Sequence, residues 1–131
     1  MGALSYLLDT HVLLWWLFDD RGLSRKARAL LKDPDNRIVV SSASAWEIAI
    51  KHRIGRLDSA APLVRDFSAW MTKAGFTELG MNSAHALLAG SWNVVHKDPF
   101  DRMLAAQSRE ERLPLITRDS AFEDFGIDTV W

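Results

Sequence analysis

Short apolar runs alternate with helical patterns along this whole chain, and that alternation restricts the fold more than any other feature. The segments 5–8 (SYLL), 38–40 (IVV), 76–79 (FTEL), 115–116 (LI) and 128–130 (DTV) read as strands. Between them the spacing predicts helices over 11–18, 25–32, 45–54, 62–73, 83–92 and 99–112, and a short one opened by Asp119. Ser24 supplies a helix cap, Gly55 a helix stop, and segments 19–22 and 33–36 read as turns. Strands that alternate with helices form a parallel sheet covered by those helices. The expected fold is therefore α/β: one domain over residues 1–131, with a central, mostly parallel β-sheet flanked by helices. No repeat, low-complexity segment or linker divides it.

Composition narrows the chemistry. The chain has 131 residues and no cysteine, so disulfides, thiolate metal sites and cysteine nucleophiles are all excluded. Any metal must sit on oxygen or imidazole. Sixteen basic residues against seventeen acidic give a net charge of −1, which argues against a broad nucleic-acid coat but not against a local basic rim. The apolar run 12–18 is too short to span a membrane, and the N-terminus shows no basic region followed by a cleavage site. The expectation is a cytoplasmic protein with no membrane partner.

The stretch 96–107, HKDPFDRMLAAQ, holds two acids around a proline and runs straight into a helix of small apolar residues. Asp98 suits the N-cap, and Pro99 the first helical position, where a missing N–H costs nothing. Asp101 then falls one turn inside, on the face that also carries Leu104, Ala105 and Ser108. A carboxylate there is costly unless it is paired. The local alternative is that Asp101 merely reaches back to cap the Asp98 backbone.

Three more acids share this kind of setting. Asp9 and Asp119 each follow an apolar strand and precede a helix. Glu47 lies in the first turn after the strand 38–40, on a stripe with Ala43, Ile50 and Ile54. In a parallel α/β sheet, strand ends and following helix starts share one edge, where ligands bind. Each acid has a plainer reading as a cap, favoured by the helix dipole, and Ser44 with Glu47 makes a possible capping box. Capping alone, however, does not require four acids at one edge. If they converge, unit charges ~4 Å apart repel by about 4 kcal/mol at an effective dielectric near 20. Such a cluster holds protons or binds cations. Carboxylate oxygens suit Mg²⁺ or Mn²⁺, which activate water and stabilise phosphoryl charge. Phosphodiester hydrolysis is the leading chemistry.

The segments LLDTHVLLW (7–15), SSASAWEIAIK (41–51), HKDPFDRMLAAQ (96–107) and LITRDSAF (115–122), in this order and spacing, resemble PIN-domain ribonucleases of the VapC toxin type. The likeness runs over essentially the whole chain. It implies a Mg²⁺-dependent endoribonuclease, with Mn²⁺ as a substitute, that leaves a 5′-phosphate and a 3′-hydroxyl. It also implies a toxin neutralised by a cognate antitoxin and assembled as a homodimer. By position the resemblance assigns the catalytic and metal-binding acids to Asp9, Glu47, Asp101 and Asp119, with Thr117 as a polar neighbour and Asp98 in a supporting or capping place. Lys97, Arg102 and Arg118 flank the acids and are candidates for RNA phosphates, against a reading as solvated surface charge. His11 stands where relatives often carry a small polar residue. His52, His85 and His96 show no metal-ligand spacing and read as structural or surface groups.

Six tryptophans are many for this length, and tryptophan is enriched at interfaces. Trp15 and Trp16 are candidates to line an antitoxin groove, against ordinary core packing. Three rival readings remain: an inactive PIN-fold binding module, a phosphoacceptor domain, and a related metal-dependent DNA nuclease. The presence of all four acids counts against the first. The second lacks a lysine after a late strand, where Thr117 is followed by Arg118 and Asp119.

Overall fold

A computed structural model describes residues 4–18 and 20–131; residues 1–3, and Asp19 in the expected turn at 19–22, lie outside the described residues. Strand β1 (Ser5–Leu8) forms the centre of a five-stranded sheet, between β2 (Arg37–Ser41) and β4 (Leu115–Ile116). Strands β3 (Thr77–Leu79) and β5 (Thr129–Val130) form the two edges, and every pairing is parallel. The order β3-β2-β1-β4-β5 means that the chain builds outward on one side of β1, then crosses to the other. Such a reversal opens a crevice at the carboxyl ends of the central strands.

Side chains of successive strand residues point to opposite faces, so the sheet has two cores. Tyr6, Leu8, Ile38, Val40 and Ile116 pack with Val12 and Leu13 of α1 (Thr10–Phe18), and with Ala27 and Leu31 of α2 (Arg25–Lys32). Leu63 of α4 (Ala61–Arg65) and Met71 of α5 (Phe67–Ala74) join that layer. Leu7, Val39 and Leu115 face the other way, onto Leu104 and Ala105 of α7 (Pro99–Glu111) and onto Phe122 and Phe125. Burial on both faces is why these strands read as apolar runs and not as alternating patterns. Helix α6 (Ser83–Ser91) packs beside α7.

Two local differences from the sequence expectation have clear causes. The helix expected over 62–73 is two helices, because Asp66 leaves helical geometry (φ −152°, ψ 72°) and its carboxylate accepts from the Ala69 N–H to cap α5. Helix α3 (Ser42–Arg53) begins before residue 45, because the Ser41 hydroxyl, not that of Ser44, caps it by accepting from the Ala43 N–H at 3.0 Å. The Ser44–Glu47 capping box therefore does not form, and both side chains are free for other partners. Among the described residues no helix is long and apolar enough to cross a membrane.

Candidate active site

Asp9 leaves the carboxyl end of β1 and is only 5% exposed. Its carboxylate accepts a 2.7 Å hydrogen bond from the hydroxyl of Thr117, itself buried just beyond β4. The same hydroxyl oxygen accepts from the Asp119 N–H at 3.0 Å. One threonine thus fixes Asp9 and the turn that carries Asp119. Next to Asp9, the Thr10 hydroxyl meets the Ser44 hydroxyl at 2.8 Å, which ties the start of α1 to the first turn of α3. That contact uses the serine released from capping. It orients α3 so that Glu47, 4% exposed, lies on its buried side.

The acids sense one another. The carboxyl of Asp9 is pushed above the usual carboxylate range, first by burial and in part by the negative charge of Glu47; the Thr117 hydrogen bond and nearby His11 oppose the shift. That of Asp101 is raised to about 7, again first by burial, then by the charges of Asp98 and Asp9, with His96 opposing. Asp9, Glu47 and Asp101 therefore occupy one electrostatic neighbourhood. Asp119 joins them through Thr117 and through a shared cavity of about 300 Å³, lined by Asp9, His11, Trp15, Arg118 and Asp119.

Repulsion within this group is offset by individual partners. Lys51, one turn along α3, places its ammonium 2.8 Å from Glu47. The Nε2 of His96 lies 2.9 Å from Asp101. Asp119 is exposed, and its carboxylate accepts from the Ala121 N–H at 2.9 Å. With these engagements, no three Asp, Glu or His side chains among the described residues stand together as a ready-made ligand set. The expected convergence is one of neighbourhood and charge, not yet of ligating atoms.

Asp98 has the capping geometry that Pro99 suggests: it accepts from the N–H groups of Phe100 at 2.8 Å and Asp101 at 3.2 Å. Lys97 is exposed between His96 and this cap. Arg102 is engaged with the backbone. Its guanidinium donates to the carbonyls of Ala89 (2.8 Å), His96 (2.9 Å), Val94 (3.4 Å) and Trp92, and sits over the Phe125 ring. A fork of donors satisfying four backbone carbonyls pins the segment between α6 and α7 and has little left for a phosphate. The clamp also folds His96 back onto Asp101. His96, expected to be structural or surface, is thus a partner of a candidate catalytic acid. Its ring also packs 5.4 Å from Phe125 and 6.0 Å from Phe122. Arg118 is exposed and lies over the ring of Trp15 at 4.6 Å. Trp15 and Trp16 are both half-buried against the core, so packing accounts for much of each.

A larger hollow of about 360 Å³ lies at the opposite end of the sheet, lined by Ser108, Arg109, Arg112 and Asp128 among others. It contains none of the four acids, and the chemistry selects the smaller cavity.

With this architecture in place, the affiliation is direct. The PIN-domain family model matches residues 6–127, and the chain belongs to that family. It is 38% identical over 60 residues to ribonuclease VapC16 of Mycobacterium tuberculosis, covering 46% of this chain and 43% of that relative, so the match spans under half of that protein's length. Ribonuclease VapC22 of the same organism is 27% identical over 118 residues, 88% of this chain and 87% of the relative. The fold is similar to that of VapBC2 from Rickettsia felis, solved bound to a promoter DNA fragment (TM-score 0.70, 13% identity, 98% of both chains).

Proposed function

We propose that this chain is a metal-dependent endoribonuclease that hydrolyses RNA phosphodiester bonds in the cytoplasm, as the toxin of a toxin–antitoxin pair. The observation that carries the reading is Asp9: a buried acid at the sheet's crossover point, raised by burial and by Glu47, whose own charge in turn raises Asp101. The ribonuclease names of the two relatives support the same activity. The donor set fits a hard divalent cation, because it is all oxygen and because its ionised form is disfavoured by burial and mutual repulsion, which a cation reverses. Mg²⁺ is the proposed ion, with Mn²⁺ as a substitute. Asp9 and Asp101 would hold it, with Glu47 and Asp119 completing the set. A cation bound there supplies an activated water and stabilises charge on the phosphoryl oxygens.

The chain's own groups have distinct parts. Thr117 holds Asp9 in orientation, His96 does so for Asp101, and Lys51 for Glu47. Lys97 and Arg118 border the acids as cations for the RNA chain, whereas Arg102 serves the loop. A similar fold in a toxin–antitoxin complex from Klebsiella pneumoniae (TM-score 0.57, 18% identity) supports a cognate antitoxin as partner. For a homodimer, the surface that suits a second copy lies between α3, α6 and α7. There Trp46 is 55% exposed, packs edge-on against Phe100 at 5.0 Å, and borders an apolar hollow of about 270 Å³.

The test is cleavage of a mixed RNA pool, with a matched single-stranded DNA pool alongside, in Mg²⁺ and in EDTA. RNA cleavage that requires Mg²⁺ is expected. Cleavage that persists in EDTA, or is confined to DNA, would overturn the reading.

A further inference from the structure

The wall of the 300 Å³ cavity that faces the acids is aromatic and cationic: His11 and Trp15 of α1, and Arg118 after β4. Trp15 is held from several sides. Behind it Gly22 approaches so closely that an added Cβ would lie 2.6 Å from the indole Cδ2. The ring of Trp131 packs at 5.9 Å with a 57° tilt, and His11 lies 6.1 Å away at 39°. Over the indole face sits the guanidinium of Arg118, 4.6 Å from the ring centre. His11 and Arg118 are exposed while Trp15 is half-buried. Two flat, exposed groups therefore stand on a fixed indole, beside a floor made of Asp9 and Asp119.

Charge limits what this wall can take. The acidic floor repels an anion, and Arg118 repels a basic peptide that the floor would otherwise attract. A flat, uncharged π-system meets neither objection. Aromatic rings and guanidinium planes stack unpaired nucleobases with little regard to sequence, through dispersion and cation–π attraction.

We propose that His11, Trp15 and Arg118 form a stacking subsite for one unpaired nucleobase next to the scissile phosphate, and that this subsite sets which RNA positions are cut. The inference rests on the ribonuclease reading but can fail separately from it. Intrinsic tryptophan fluorescence of the whole chain, in EDTA, is titrated with the four uncharged nucleosides for wild type, Trp15→Phe and Arg118→Gln. Saturable quenching is expected in wild type, most of it lost in Trp15→Phe. Arg118→Gln, an exposed change that leaves the core alone, should weaken binding by about tenfold. In RNA cleavage the same variant should redistribute the cut positions and raise KM more than it lowers kcat. No saturable quenching in wild type, or equal quenching in all three proteins, overturns the subsite. So does quenching of Trp15 by an arginine-rich peptide in place of the nucleosides, which would assign the wall to a protein partner. Quenching by nucleosides without RNA cleavage keeps the subsite and overturns the ribonuclease reading; cleavage without quenching does the reverse.

Discussion

Helix α7 carries a histidine–acid pair at each end, and the two are alike in geometry and opposite in setting. At its C-terminal end, His85 Nε2 lies 3.0 Å from Glu111; at its N-terminal end, His96 Nε2 lies 2.9 Å from Asp101. His85 is committed on every side: its Nδ1 accepts from the Asn82 N–H, its own N–H donates to the Asn82 side chain, and its ring is 1% exposed. That arrangement places the ring hydrogen on Nε2, where it donates to the half-exposed Glu111, and it locks α6 onto α7. Asp101 differs in having acidic company. Asp98 and Asp9 press on its charge, and the buried site presses further. One pair closes a structure, and the other restrains an acid that its surroundings disfavour. Distance alone does not tell them apart; the third charge does.

The comparison breaks most sharply in activity. Asp101→Asn should lower Mg²⁺-dependent RNA cleavage by more than about a hundredfold, beyond the loss typical of outer-sphere partners, while Glu111→Gln leaves the rate near wild type. Single-turnover cleavage at saturating Mg²⁺ measures both, and equal losses would erase the distinction. The histidines should divide next. His96→Ala is expected to cost about 10- to 100-fold in apparent Mg²⁺ affinity with a modest change in Tm. His85→Ala should instead destabilise the fold by roughly 2–4 kcal/mol through a buried cavity and lost hydrogen bonds, with near-normal activity in the folded fraction.

The pH dependence of stability gives a smaller but signed effect. An acid whose folded pKa lies at about 7, against 3.8 for an unperturbed aspartate, binds more protons folded than unfolded between those limits. Its contribution is therefore greatest below pH 3.8 and declines as pH rises through 7. Asp9 shifts in the same direction. In EDTA, urea denaturation should show this pair contributing less stability at pH 8 than at pH 5, with the slope flattened in Asp101→Asn. A slope unchanged by that substitution would mean that Asp101 carries no such burden. The smallest effect is expected from Arg102→Lys, about 1–2 kcal/mol, because an ammonium cannot reproduce the fork to four carbonyls. Cleavage in that variant should fall only as far as His96 loses its position.

These contrasts show what the sequence could reveal. Asp98 was legible because Asp-Pro at a helix start has one local geometry. Asp9 and Thr117 were legible because a strand that ends in a polar residue before a helix places it at one edge. The parallel sheet followed from the alternation itself. His96 was not legible, because its meeting with Asp101 depends on a segment folded back by Arg102, through carbonyls whose positions no spacing rule supplies. The carbonyl partners of Arg102 were not legible for the same reason: from sequence, a basic residue beside an acid reads as a phosphate contact or as surface charge. Ser44 looked like a cap for Glu47, but Ser41 caps the helix, and the released hydroxyl joins Thr10. The break at Asp66 lay in a pattern that periodicity alone reads as continuous.

The crossover at β1 has a consequence in time as well as in space. The hydrogen bond between Asp9 and Thr117 joins residues 108 apart in the chain, and β4, which pairs directly with β1, is made long after it. At ordinary synthesis rates of ~5–20 residues per second, several seconds separate the emergence of the first acid from that of its anchor. A growing chain thus exposes Asp9 before the residues that complete its setting have been made. This topology amounts to a delay: synthesis of the chain is well advanced before the group of acids can be complete.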